Sequence, residues 1–320
     1  MVYNMSLIIM REWFKYFLRT KAVLAFTLML LIFSNCSKEQ FNAERPSYLH
    51  VSSINLQTEV FQGTDSHKIT DAWVNMDGQF LGVFELPATI PVLAEGFHDF
   101  TIYPGIKANG ISATRIRNPF LGVCVLNSIE PNTLPLDTNR IHLHRDQVVS
   151  VNATTYYSAE TEFLMIEDYE DNEAAMVLSL GEDSSDVMIN SEVFLEGDNS
   201  SLVVTLDAEN PFFEMLSSEL VSLDKLYKPT MLELNYRCDQ SFKVGLVVKS
   251  PASDILRRYE SLQVNPSIDW NKIYVHMTNQ VVLGNSSDEF GIYIRAHKSD
   301  TSETAYFHFD NIKWLHINNE

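Results

Sequence analysis

Thr230-Met231-Leu232-Glu233-Leu234-Asn235-Tyr236-Arg237-Cys238, followed after Asp239-Gln240-Ser241 by Phe242-Lys243-Val244-Gly245-Leu246-Val247-Val248, decides the fold class of this chain. In the first run Leu232, Leu234, Tyr236 and Cys238 alternate with Glu233, Asn235 and Arg237. That is the period of a strand whose successive side chains point to opposite faces. It predicts that the first set is buried and the second exposed. In the second run, read as the partner of the first, Phe242, Val244, Leu246 and Val248 share a face.

Runs of the same kind extend in both directions. Lys272-Ile273-Tyr274-Val275-His276-Met277, Phe290 to Ala296 and Tyr306 to Trp314 follow, and Phe163 to Glu170, Val187 to Asn190 and Ser201 to Leu206 precede. Only Pro211 to Leu220 has the composition of a helical turn. Closer to the N-terminus, Tyr48-Leu49-His50-Val51, Ala72 to Met76 and Phe97 to Tyr103 are short alternating runs separated by turn residues. His142 and His144 share one strand face and are read as solvent-facing, and Val148 to Val151 closes this half. The expectation is an all-β protein of two β-sandwich domains, residues 47–157 and 158–320, with a boundary near 155–162.

The first 46 residues read differently. Arg11, Lys15, Arg19 and Lys21 precede the apolar run Ala22 to Phe33, which ends at Ser34-Asn35-Cys36. About twelve apolar residues suit a secretory leader and fall short of the roughly twenty of a membrane-spanning helix. Cleavage before Cys36 removes residues 1–35 and leaves 285 of the 320 residues, comfortable for two domains. The leader takes away four of 23 basic and one of 42 acidic residues, so the remainder carries a net −22. That balance repels nucleic acid and anionic lipid. Residues 36–46 form a polar tether.

Three resemblances attach to particular residues. Phe33-Ser34-Asn35-Cys36 resembles the lipobox of a Bacteroidota-type lipoprotein, and Ser37-Lys38-Glu39 is similar to the signal those bacteria use for export to the outer face of the outer membrane. This implies palmitate-type acylation at Cys36 and a lipid-anchored location facing the exterior. Val74 to Gly82, with Pro87, Ile90 to Leu93 and Glu95-Gly96-Phe97-His98, resembles a PEGA-type sandwich, in which Asp77-Gly78 makes a tight hairpin turn. Ile166 to Glu170, Glu196 to Leu202, Asp269 to Tyr274 and Phe309 to Ile312 resemble a jelly-roll carbohydrate-binding module. That last resemblance implies a structural calcium, with Glu167, Asp168, Glu170 and Asp310 as the candidate ligands, carboxylate oxygens being suited to it.

Catalytic signatures are absent from the sequence: no nucleophile elbow, zinc-protease helix, phosphate loop or dinucleotide fingerprint occurs. Beyond Cys36 only Cys124 and Cys238 remain, read as two buried thiols. Trp270 and Trp314 sit where a jelly roll packs its core, and Tyr227, Tyr259 and Tyr293, possible sugar platforms, are each read as core or edge packing, a thin aromatic supply for a glycan reader. The segment 104–120 carries Lys107, Arg115 and Arg117 with Phe120 and no carboxylate, which makes it a candidate partner-binding loop; the other reading is that the cations pair with the protein's own acids while the apolar residues cover a sandwich end. The expected function is a non-catalytic surface lipoprotein serving as accessory or scaffold subunit of an outer-membrane protein complex. A glycan-binding lipoprotein for polysaccharide capture is the alternative.

Overall fold

The computed structural model describes residues 45–128, 139–170, 175–178, 186–190, 200–223, 227–253, 255–299 and 302–318, with helical backbone at positions 13, 15, 17, 20 and 21. Cys36 and Glu196 lie outside the described residues. The protein is all-β, and residues Pro46–Glu320 form one compact unit.

Among the described residues the first sandwich uses nine strands: β1 (Ser47–Leu56), β2 (Asp71–Met76), β3 (Gln79–Glu85), β4 (Ala88–Val92), β5 (Gly96–Lys107), β6 (Arg115–Arg117), β7 (Val125–Ser128), β8 (Arg140–Leu143) and β9 (Val148–Thr155). One sheet runs β4-β1-β9-β7, and the other runs β3-β2-β5-β6 with β8 on β5. Alternate apolar residues of both sheets, among them Leu49, Val51, Val74, Ile102 and Val151, meet in its core. Asp77 and Gly78 take φ of 49° and 78° between β2 and β3, a left-handed pair that Asp-Gly tolerates and bulkier residues resist. His98 on β5 closes on that turn through Asp77 Oδ2 at 2.6 Å.

Among the described residues the second sandwich has twelve strands: β10 (Thr161–Glu167), β11 (Met176–Leu178), β12 (Asp186–Asn190), β13 (Ser201–Leu206), β14 (Phe212–Ser217), β15 (Val221–Ser222), β16 (Thr230–Cys238), β17 (Phe242–Lys249), β18 (Leu256–Val264), β19 (Ser267–His276), β20 (Glu289–His297) and β21 (Ala305–Ile317). One sheet runs β12-β13-β21-β16-β19 with β10 on β21. The other runs β11-β14-β20-β17-β18 with β15 on β20. Pro211–Leu220, read as a possible helical turn, is the strand β14 and its exit.

The expected pairing of the two deciding runs is corrected here. β16 and β17 belong to opposite sheets, and Asp239-Gln240-Ser241 carries the chain across the sandwich edge. Their apolar faces still meet: the Tyr236 and Phe242 rings are 5.3 Å apart, and Phe242 also packs edge-on against Phe309 at 5.2 Å. Burial of Leu232, Leu234, Tyr236 and Cys238 on β16 agrees with the alternation. Glu233 and Asn235 do not follow it, being 1% and 3% exposed. Trp314 is core, as read, whereas Trp270 is only half-buried and faces outward. Cys124 and Cys238 are the buried free thiols expected, and burial pushes them up to about 12 and about 11 respectively.

Candidate functional site

The site is built on the outward face of the sheet that contains β16, β19 and β21. Inward side chains on these strands, Leu232, Leu234, Ile273, Val275, Phe307 and Phe309, fix which residues must point away. Those are Met231, Glu233, Asn235 and Arg237 on β16, and Trp270, Lys272 and Tyr274 on β19. Tyr306, His308, Lys313, Leu315 and Ile317 do the same on β21, where the alternation shifts at Asp310-Asn311. Asn311 takes φ of 48° at that shift, and the β16–β21 register jumps beside it.

One half of this face is closed by the first sandwich. Met231, Tyr274, Leu315 and Ile317 pack with Leu56, Ile106, Phe120, Leu121 and Tyr157 in a third apolar cluster that belongs to both sandwiches. Backbone seals the seam: Asn109 N–H donates to the Tyr274 carbonyl at 2.8 Å, and His276 N–H donates to Asn109 Oδ1 at 2.9 Å. Next to this cluster lies a strap, residues 64–68. Lys272 Nζ donates to the Ser66 carbonyl at 2.6 Å and lies 3.1 Å from Glu233 Oε2. Lys313 Nζ donates to the Thr64 carbonyl at 2.5 Å. Tyr157 donates its hydroxyl to Glu233 Oε2 at 3.1 Å, Ser66 exchanges hydrogen bonds with Asn235, and Lys68 N–H donates to the Tyr274 hydroxyl at 2.8 Å. Glu233 is thus paired with Lys272, with Lys313 facing it in the β16–β21 register, in a site where the Lys272 and Glu233 side chains are 3% and 2% exposed.

Buried charge is tolerated here only because each group is paired or hydrogen-bonded. Burial pushes Lys313 down to about 8 against the partial restoring pull of Glu233. Burial, reinforced by Glu233, pushes the Tyr157 hydroxyl well up. Unfolded, Lys313 keeps its proton to its ordinary 10.5, so between about 8 and 10.5 the unfolded chain binds more protons. Rising pH across that window therefore favours the fold through this group. Chemical denaturation at several pH values checks it. The stability of wild type minus that of Lys313→Met should rise by up to about 1 kcal/mol per pH unit from pH 8 to 9.5. A pH-independent difference would show that Lys313 titrates as an ordinary lysine.

Beyond the strap the same face is open. The border is Ser66 on Asn235 and Lys68 Nζ donating to Asn271 Oδ1 at 2.5 Å. The next row is Trp270, Arg237 and His308, followed by Ile268, Asp239 and Tyr306. The β16–β19 register jumps from Tyr236↔Asn271 to Cys238↔Ser267, and within this stretch Trp270 lies outward beside His308, with ring centroids 6.3 Å apart. Tyr306 is 45% and Ile268 84% exposed. Together with Arg237, Asp239, Ser267 and His308 these last two line a depression of about 300 Å³. Burial, then the neighbouring Arg237 charge, holds His308 below the ordinary histidine range. Its ring is therefore neutral at pH 7, and among the described residues its Nδ1 has no hydrogen-bond partner. The arrangement offers indole and phenol surface beside a neutral imidazole, a guanidinium and a carboxylate.

The residues singled out from sequence have other fates. Tyr293 is fully buried, lying over Gly245 beneath Arg295, whose guanidinium is 5.2 Å from the ring centre. Tyr259 is half-buried, and Tyr227 is exposed apart from this face. Of the candidate partner-binding loop, Arg115 pairs with Asp71 and with Glu85, the latter at 2.8 Å, and Lys107 pairs with Glu85 at 3.1 Å. Arg117 stacks on Tyr103 at 3.3 Å, and Phe120 is fully buried in the cluster joining the sandwiches. The loop thus spends its cations on the protein's own carboxylates and rings, and Phe120 presents no surface. His142 and His144, read as solvent-facing, are half-buried and hydrogen-bonded to each other at 2.8 Å.

The calcium candidates are engaged by backbone donors. Glu167 accepts from Tyr169 and Ala175 N–H, Asp168 from Glu170 N–H, Glu170 from Ser200 N–H and Asp310 from Asn311 N–H. Among the described residues no three His, Cys, Asp or Glu side chains converge to hold a metal.

No protein-family model and no curated protein matches the chain. Among solved structures it is similar to the family 11 carbohydrate-binding module of cellulosomal cellulase Lic26A-Cel5E of Clostridium thermocellum, at 9% identity and TM-score 0.37, over 51% of this chain and 98% of that one. The family 30 carbohydrate-binding module of cellulosomal cellulase Cel9D-Cel44B from the same organism aligns at 14% identity and TM-score 0.36, over 47% and 97%. The CBM22-1 xylan-binding domain of Paenibacillus barcinonensis Xyn10C aligns at 11% identity and TM-score 0.36, over 51% and 99%.

Proposed function

We propose that this chain is a non-catalytic, lipid-anchored protein of a bacterial outer surface that captures glycan on the open half of the β16–β19–β21 face. The observation that carries the reading is the outward Trp270 beside Tyr306, His308, Arg237 and Asp239, next to a depression of about 300 Å³. Sugars place their apolar CH faces on aromatic rings and bond their hydroxyls to polar groups at the ring edge. A neutral imidazole both donates to and accepts from a hydroxyl, which suits this role better than imidazolium. Capture needs no general acid or base. The anchor rests on the leader and Cys36, and palmitate incorporation that Cys36→Ser abolishes is its check; incorporation unchanged by the substitution would remove it.

The accessory-subunit reading draws no support from the 104–120 segment, whose cations are paired internally and whose Phe120 is core. Affinity electrophoresis through gels containing single polysaccharides tests the glycan reading. Wild type should be retarded by at least one polysaccharide, and Trp270→Ala should weaken that retardation about 30-fold, the scale of losing a central tryptophan of about 2 kcal/mol. Migration of wild type unretarded through neutral and acidic polysaccharides alike would end it.

A further inference from the structure

The first sandwich carries a pair of imidazoles that neither its core nor the Trp270 surface uses. On β8, Ile141 and Leu143 are 2% and 0% exposed, so the pleat turns His142 outward, and His144, two positions on, follows it to the same face. His142 Nδ1 lies 2.8 Å from His144 Nε2, with the ring centres 4.2 Å apart and the planes at 66°.

The surrounding backbone fixes this pairing. β8 is locked on β5 in the register Phe97↔His142, and the Phe97 ring stands edge-on to His142 at 4.4 Å. His144 opens the turn into β9. Its carbonyl accepts Gln147 N–H at 3.2 Å, and Asp146 takes φ of 60° with its own N–H on the Pro46 carbonyl. Both imidazoles are half-buried and Phe97 beside them is 60% exposed, so solvent reaches the pair.

An N–H···N bond places one proton between two nitrogen lone pairs. A metal ion can take that proton's place: the proton moves to the other nitrogen of its own ring, and both facing nitrogens become ligands. The separation discriminates among metals. Ligands about 2.0 Å from an ion stand about 2.8 Å apart at a right angle and about 3.3 Å apart at the tetrahedral angle. The first is the cis edge of a tetragonal copper(II) or nickel(II) shell, the second that of a zinc shell. Copper(II) leads the affinity order for nitrogen ligands, and a net charge of −19 favours cations.

We propose that His142 Nδ1 and His144 Nε2 hold one copper(II) ion at cis positions, with water in the remaining places. With two protein ligands the shell stays open to solvent and exchange, unlike the closed four-ligand shell of a structural metal.

Copper(II) titrated into the metal-free full chain near neutral pH, followed by electron paramagnetic resonance, tests this. The first equivalent should give a tetragonal spectrum split by two imidazole nitrogens, and zinc(II) should displace it only at about tenfold excess or more. His144→Gln should weaken the binding at least about tenfold while leaving the metal-free thermal midpoint unchanged. His142→Gln should weaken it as much; should that variant unfold through loss of its contact with Phe97, His144→Gln, beyond the end of β8, decides alone. Wild-type affinity in His144→Gln, no bound copper in the wild type, or displacement by equimolar zinc(II) would each overturn the proposal.

Discussion

Glu233→Ala is expected to destabilise the protein by about 3–5 kcal/mol, because it strands two lysine ammonium groups in a space that water does not reach. Lys272 is 3.1 Å from the lost carboxylate, and Tyr157 loses its acceptor. Equilibrium unfolding by denaturant, followed by intrinsic fluorescence, measures the loss. The comparison that isolates the mechanism is the combined replacement of Glu233, Lys272 and Lys313 by methionine. With no charge left to strand, that variant should lie close to wild type or above it, as buried ion clusters often do when replaced by apolar groups of similar size. If Glu233→Ala were near neutral, the cluster would be wetter than its 2–3% side-chain exposures indicate.

Phe120→Ala is expected to cost about 3–5 kcal/mol as well, by cavity formation rather than by charge. Phe120 is 0% exposed, its neighbours in the shared cluster include Tyr157, Met231 and Leu315, and its own backbone is tied to Ser158 and Asn118. The loss should appear for both sandwiches together, since residues of each line the vacated space. A surface docking residue would behave in the opposite way, with truncation changing stability by less than about 0.5 kcal/mol. Denaturant midpoints read by fluorescence, with the slope of the transition unchanged, decide between these.

Much of the architecture was legible in the run Thr230–Cys238. Alternation identified the strand, named the four side chains that enter the core, and with its neighbours gave an all-β chain. A period of two, however, reports only which face of a pleat a residue occupies, never what covers that face. Glu233 and Asn235 were therefore read as exposed, although the strap at 64–68 and the first sandwich bury them. The strap itself has no periodicity to betray it, and its partners lie 169 to 249 positions away in the chain.

The same limit explains the loop 104–120. Its lack of carboxylates is real, but Asp71 and Glu85 reach it from strands 44 and 30 residues distant. Trp270, read as a core position of a jelly roll, lies on the outward face by the plain alternation of its strand, in step with Lys272 and Tyr274 and opposite Ile273 and Val275. One signal was present: Ile268, Trp270 and Lys272 occupy alternate positions of one strand, and a lysine on that face argues against a core assignment for it. Tyr293, read as core or edge packing, is fully buried, and glycine at 245 lets its ring lie down against β17.

The two sandwiches are expected to unfold as one unit, because the strap that borders the Trp270 surface belongs to the first and the surface to the second. Scanning calorimetry of the chain measures this most directly. One transition is predicted, with calorimetric and van't Hoff enthalpies equal. Two resolved transitions, with the Glu233→Ala variant shifting only one of them, would contradict it.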